Sequence, residues 1–266
     1  MKILIKQAKI IIPQHQLNGE TLDVLIDEGN IVAIEKAIPS EKATVVLEEP
    51  GQCLSLGWFD FRANYAEPGF EHRETLSNGL EVASKSGFTA VGILPSTQPV
   101  VDNKSLVKFI QQKSQHHLVD LFPYGTITVG MNGEALAEMH DMSQAGAVAF
   151  TDDKKALMRN DLVKLALQYS DNIQKPILLH CSDSFLNAGT QMHEGPTSTH
   201  TALKGEPSIS ESITIQRYLS LAEYTQAPVH LSTISSAEGV ALIREAKAKG
   251  IAVTADCSIA HLSFCD

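Results

Sequence analysis

The stretch FDFRANYAEPGFEHRET, from Phe59 to Thr75, sets Arg62 and Asn64 two residues apart at the end of an apolar run. Along a β-strand, side chains two apart share a face, so both are expected to converge on the space beyond the strand end. Two histidines there would hold a metal. An arginine carries donors only, and an asparagine offers one amide oxygen, a weak ligand for a borderline-soft cation. Farther along, Asp153, His180 and His230 each sit in or just after an apolar strand-like run. A carboxylate and two neutral imidazoles around an open position form a recognised set for catalytic zinc. Each also has a plainer role: Asp153 could cap a following helix, and either histidine could be a satisfied pocket residue. No HExxH spacing decides between the two readings.

The remaining histidines carry less. His72, His193 and His261 fall in expected βα loops, and His261 is kept as a pocket candidate; His15, His116, His117, His140 and His200 read as solvated loop or helix residues. Cys53, Cys181, Cys257 and Cys265 show no CxxC or other paired spacing, and are read as reduced, buried thiols without a role.

Two textures of sequence must position these residues. Up to about Cys53 the chain reads as short strands, KILIKQAKII, TLDVLIDEG, IVAIEKAI and TVVLEE, broken by turn residues such as Asp27-Glu28-Gly29-Asn30. Beyond, apolar runs alternate with amphipathic helical stretches, the pattern of a parallel sheet with crossover helices. The strand candidates are GWFDF, FTAVGILPS, VDLFPYGTIT, GAVAFTDD, PILLHC, PVHLSTIS and IAVTADCSIAHL, with helices such as TLSNGLEVASKSG and SSAEGVALIREAKAKG between them. Arg62, Ser96, Asp153, His180 and His230 are placed at the C-terminal ends of these strands, where a (β/α)₈ barrel builds its site. The expected division is a small β-domain over residues 1–54 and a barrel over 55–266. Eight strands close such a barrel and seven are counted, so the last strand is expected to lie beyond this chain or to be replaced by a partner.

Composition narrows the function classes. A formal net charge of -10 with no basic stripe argues against nucleic-acid and membrane surfaces. The opening MKILIKQAKIII carries Lys2, Lys6 and Lys9 inside its apolar run, unlike a signal peptide, and no run is long enough to span a bilayer. A cytoplasmic protein is expected, and a homo-oligomer.

The segments TITVGMNGEALAEMHDMSQAGAVAFTDD, PILLHCSD, MHEG and VHLSTISSAEGVALIREAKAKGIAVTADCSIAHL resemble, in order and spacing, the longer-chain dihydroorotases of the amidohydrolase superfamily, relatives of allantoinases and hydantoinases. The resemblance covers nearly the whole chain. It implies a metal-dependent barrel with a small β-domain, closing carbamoyl aspartate to dihydroorotate or opening that ring in pyrimidine biosynthesis. The family pattern after the first barrel strand is D-x-H-x-H-x-R-x-P-G. This chain has Asp60, Arg62, Asn64, Ala66, Pro68 and Gly69 there, so both histidine ligands of the first metal and the substrate-holding arginine are replaced. The asparagine of a motif like MPNT is Ser96. The bridging aspartate is matched by Asp153, although the glycine after it is Lys154, and the second metal's histidines are matched by His180 and His230. The family's P-H-H reads Ile259-Ala260-His261, and the catalytic aspartate of the eighth strand has no counterpart.

These replacements imply a degenerate metal site and impaired catalysis. A bimetal centre is not expected, while one zinc on Asp153, His180 and His230 stays open. In place of the two metals an Arg62–Asp153 salt bridge is expected, closer than about 4 Å. The resemblance then implies a non-catalytic homologue, a scaffold or regulator docking aspartate transcarbamoylase. The alternative is an active cyclic amidohydrolase using one metal, and a weaker one a small-ligand sensor anchored by Arg62.

Overall fold

In the computed structural model, residues 1–264 are described, and they form two compact units, Met1–Trp58 and a second beginning at Phe59. Cys265 lies outside the described residues.

The first unit is a five-stranded layer of β1 (Lys2–Ile11), β2 (Thr21–Asp27), β3 (Asn30–Glu35), β4 (Val45–Leu47) and β5 (Cys53–Ser55), in the order β3-β2-β1-β4 with β5 also on β1. The antiparallel β1–β2 register shifts between Ile5 and Ala8. There Gln7 adopts φ 51° and donates its backbone N–H to Asp23 at 2.8 Å. Burial opposes ionisation of Asp23, but amides of Gln7 and Ile38 outweigh it and hold the carboxyl below its usual range. The buried side is apolar, Leu4, Leu25 and Ile38 in one cluster and Ile10, Leu22 and Val24 in another.

The second unit is a curled sheet with helices on its outside. Its strands are β6 (Trp58–Ala63), β7 (Phe88–Ile93), β8 (Asp120–Gly125), β9 (Ala149–Thr151), β10 (Ile177–His180), β13 (Val229–Ser232) and β14 (Val253–Ala255), neighbours in that order. Two short strands, β11 (Met192–His193) and β12 (Gly205–Glu206), pair with each other in the loop region after β10. The pairings from β7 through β14 are parallel, as the alternation of apolar runs with helices required. All seven strand candidates form strands, and among the described residues the sheet has no eighth.

The helices are α1 (Leu76–Lys85), α2 (Lys104–Ser114), α3 (Met139–Gln144), α4 (Asn160–Ile173), α5 (Pro196–Thr201), α6 (Ile209–Thr225), α7 (Ala237–Ala248) and α8 (Ile259–Ser263). Local chemistry starts several of them. Thr75 accepts from the Asn78 amide to open α1, Asn103 from Ser105 and Leu106 to open α2, and Ser236 from Gly239 to open α7. On α1 the buried residues Leu76, Gly79, Leu80 and Ala83 follow helical spacing and face the main core.

A second, smaller core fills the inside of the curl: Leu94, Tyr124, Ala149 and Leu178, with Phe61 and Val148 against them. Phe61 packs edge-on at 6.1 Å from Tyr124 and 5.1 Å from the His230 ring. Tyr124 donates its hydroxyl to the Phe61 carbonyl at 2.6 Å. Gly92 makes this approach possible, because a Cβ there would stand 2.3 Å from Tyr124 Oη and 2.8 Å from the Phe61 carbonyl oxygen. Gly92→Ala is therefore expected to destabilise by about 2 kcal/mol through overpacking, read as a lower midpoint in a denaturant melt followed by circular dichroism.

The thiols need a correction. Cys181 is buried, but Cys53 and Cys257 are exposed, one on a short edge strand and the other past the end of β14.

Candidate functional site

The site stands at the C-terminal ends of the barrel strands and centres on Arg62. β6 delivers it as the penultimate strand residue. Its Nη2 lies 3.6 Å from Asp153 Oδ1 and its Nη1 3.5 Å from Asp256 Oδ1, while Nη1 donates to Thr233 Oγ1 at 2.5 Å. The three charged side chains are 15%, 8% and 25% exposed, so the pairs are only weakly screened by water. The expected Arg62–Asp153 ion pair is present. It is one arm of a triad whose other carboxylate, Asp256, was not among the candidates. Asp256 directly follows the last apolar strand, and a charged residue closing such a run was the available signal.

Asp153 follows β9 in a left-handed conformation, φ 52°, and accepts from Ser96 Oγ at 2.9 Å through Oδ2. Ser96 thus joins the site as the partner of a carboxylate. The Asp153 Oδ1 atom, Arg62 Nε and His180 Nδ1 are buried without a hydrogen-bond partner. His180 ends β10, and burial together with the Arg62 charge holds its imidazole below its usual pKa, in the neutral form.

His230 departs from its expected place. It is the second residue of the four-residue β13 rather than its end, and it pairs in register with Thr254. Both ring nitrogens are engaged, Nδ1 with Thr254 Oγ1 at 2.8 Å and Nε2 with Asp256 Oδ2 at 3.1 Å. For Asp256, burial opposes ionisation, but the His230 hydrogen bond, the Thr233 amide and the Arg62 charge prevail and hold its carboxyl below the usual carboxylate range.

Two further expectations are corrected. Asn64 does not share the face of Arg62: β6 stops at Ala63, so strand alternation no longer governs the next residue, and Asn64 is exposed. His261 lies on the exposed short helix α8 rather than in a loop over the site. Ala66 is buried, 2% exposed, and offers no polar group to the mouth.

These side chains do not fit a metal in the arrangement observed. Zinc on Asp153, His180 and His230 would require His230 to give up its bond to Thr254 or to Asp256. A guanidinium 3.6 Å from Asp153 would also repel a dication. Among the described residues no three His, Cys, Asp or Glu side chains are grouped so as to hold a metal ion. What the arrangement offers is a fixed cation balanced by two carboxylates, beside a neutral imidazole.

A protein-family model described as dihydro-orotase-like matches residues 51–239. The chain is 37% identical over 268 residues to a dihydroorotase of Syntrophus aciditrophicus, and 41% identical over 268 residues to a dihydroorotase of Pelotomaculum thermopropionicum. In both comparisons all of this chain is covered, but only 63% and 62% of those relatives. Among solved structures it is similar to an L-hydantoinase from Arthrobacter aurescens, TM-score 0.80 at 18% identity, over 96% of this chain and 58% of that one. It is also similar to a dihydropyrimidinase from Brevibacillus agri, TM-score 0.73 at 17% identity, over 99% and 59%. At such identities the solved structures speak for the fold: a barrel-forming α/β sheet preceded by a β-layer. No helix among the described residues is long and apolar enough to cross a membrane.

Proposed function

Since this chain belongs to the dihydroorotase-like family, we propose that it serves pyrimidine biosynthesis as a non-hydrolytic member, a cytoplasmic scaffold or regulator whose mouth is held by an arginine instead of metal ions. One observation carries the reading: the Arg62 guanidinium lies between Asp153 and Asp256, 3.6 and 3.5 Å from their carboxylates. Hydrolysis of a cyclic amide needs an activated water and a polarised carbonyl, which metal ions supply. Here the carboxylates that could hold such an ion are balanced by a cation that cannot deliver water. Ala66 and Ser96 further supply neither cation nor amide for a carboxylate-bearing substrate.

The two atoms without hydrogen-bond partners, Asp153 Oδ1 and His180 Nδ1, favour the competing reading, an amidohydrolase with a single zinc. That reading requires His230 to release Thr254 or Asp256. Purification without chelator followed by metal analysis, with dihydroorotate turnover measured in the presence and absence of added zinc, separates the two. The expected result is well under one zinc per chain and turnover at least about a thousandfold below a typical enzyme's 10 s⁻¹. Stoichiometric zinc together with zinc-dependent turnover would overturn the proposal. As partners we propose aspartate transcarbamoylase and further copies of this chain; the first rests on the family resemblance alone, and co-purification from a cell extract tests it.

A further inference from the structure

We infer that the concavity between the loops following β8, β9 and β10 binds a small organic anion, a phosphate or carboxylate carried on an apolar body of nucleotide size. It encloses about 420 Å³, with Lys154, Lys155 and Arg159 on one side and Met131, Leu157 and Met158 among its apolar walls. That volume is in the range of small-molecule sites, and it opens at the strand ends where parallel α/β architectures bind ligands.

The balance of charge identifies the ligand. Arg159 is already engaged, with Nη2 at 2.5 Å from Asp161 and Nη1 at 3.7 Å from Glu134. Asp152, the buried acid of the wall, is used internally: it accepts from the Ile127 and Thr128 amides at 2.8 and 3.1 Å and from the Thr128 hydroxyl. Of the two lysines, Lys154 has no such compensation. Lys155 donates to the Met131 carbonyl at 3.0 Å, which fixes its ammonium at the wall, where its charge also acts on the Asp152 carboxyl. Lys154 has neither a hydrogen bond nor an ion pair among the described residues. Two lysines on adjacent residues therefore line one cavity, Lys154 without a counter-charge, in a chain of net charge -10, and an anionic ligand supplies the missing counter-charge. The apolar walls call for more than a bare ion.

The inference is independent of the state of the Arg62 site, and its test does not involve turnover. Calorimetric titration of the full chain with AMP, UMP, citrate and inorganic phosphate is expected to give a dissociation constant below about 1 mM for at least one organic anion, with phosphate at least about tenfold weaker. Lys154→Glu and Lys155→Glu, both at exposed positions, should each weaken that binding at least about tenfold while melting like the parent. Lys249→Glu makes the same charge change on the loop after α7, away from the cavity, and should leave it unchanged. Absence of saturable binding by every probe, phosphate binding as tightly as the organic anions, or equal weakening by Lys249→Glu would each overturn the assignment.

Discussion

Arg62→Met is expected to cost the fold about 3 kcal/mol at neutral pH, as breaking a buried ion pair from one side does. Methionine keeps most of the apolar stem of arginine, so packing is nearly preserved and the loss is electrostatic. It leaves Asp153 and Asp256 facing each other across the inside of the curl, where both had shared one cation at 3.6 and 3.5 Å. The effect has a pH signature with a definite sign. The folded-state pKa of Asp256 lies below its ordinary 3.8, so its contribution is fully present above that ordinary value and is lost as pH falls through the folded value. Without the guanidinium Asp256 loses one of the charges that hold its carboxyl low. The gap between parent and variant is therefore fully present near pH 7 and narrows as pH falls below about 4. Urea melts at several pH values measure it. Adding Asp153→Asn should recover part of the loss, and the double-mutant cycle isolates the coupling. A variant within about 0.5 kcal/mol of the parent at pH 7, the usual effect of a surface change, would mean that the triad does not hold the mouth together.

Much of this arrangement was legible before any coordinates. The barrel strands were, because buried parallel strands are near-continuous apolar runs and helices between them repeat differently. Arg62 opposite Asp153 was also legible, since the resemblance puts the arginine where a metal ligand would stand, beside the position of the bridging aspartate. What escaped reading shares one cause: it depends on where a strand stops, to within a residue. Asn64 shares the face of Arg62 only if β6 continues past Ala63, and it does not. His230 looked like a strand end because PVHLSTIS continues apolar, yet β13 begins one residue before it, so its ring sits deep against Phe61 with both nitrogens bonded. Asp256 was absorbed into the strand candidate IAVTADCSIAHL, whereas β14 ends at Ala255. The cavity with Lys154 and Lys155 was invisible for another reason: its walls come from three loops, whose convergence no single segment encodes.

Glu211→Ala is expected to be as disruptive as the arginine change, although the residue takes no part in the charge triad. Glu211 sits in the first turn of α6, 7% exposed, and reaches across to the loop between β13 and α7. Its Oε2 accepts from Ser235 N at 2.9 Å and Ser235 Oγ at 2.8 Å, and its Oε1 from Ser236 N at 3.0 Å and Ser236 Oγ at 2.6 Å. Ser236 is also the residue that caps α7, accepting from the Gly239 amide at 3.0 Å. One carboxylate thus satisfies two backbone amides and fixes the hydroxyl that starts the next helix, which in turn sets the loop carrying Thr233 to Arg62. Removing it leaves four donors without an acceptor in a poorly hydrated place, a cost of about 3 kcal/mol. Glu211→Gln should recover only part, because its amide group presents a donor to two of the donors it must satisfy. Hydrogen exchange is the discriminating measurement. In the alanine variant the Ser236 and Gly239 amides should lose protection ahead of the global unfolding of the barrel, while those of α1 keep theirs. Equal loss of protection across both helices would instead mean that the four hydrogen bonds stabilise the fold as a whole and do not specifically anchor α7.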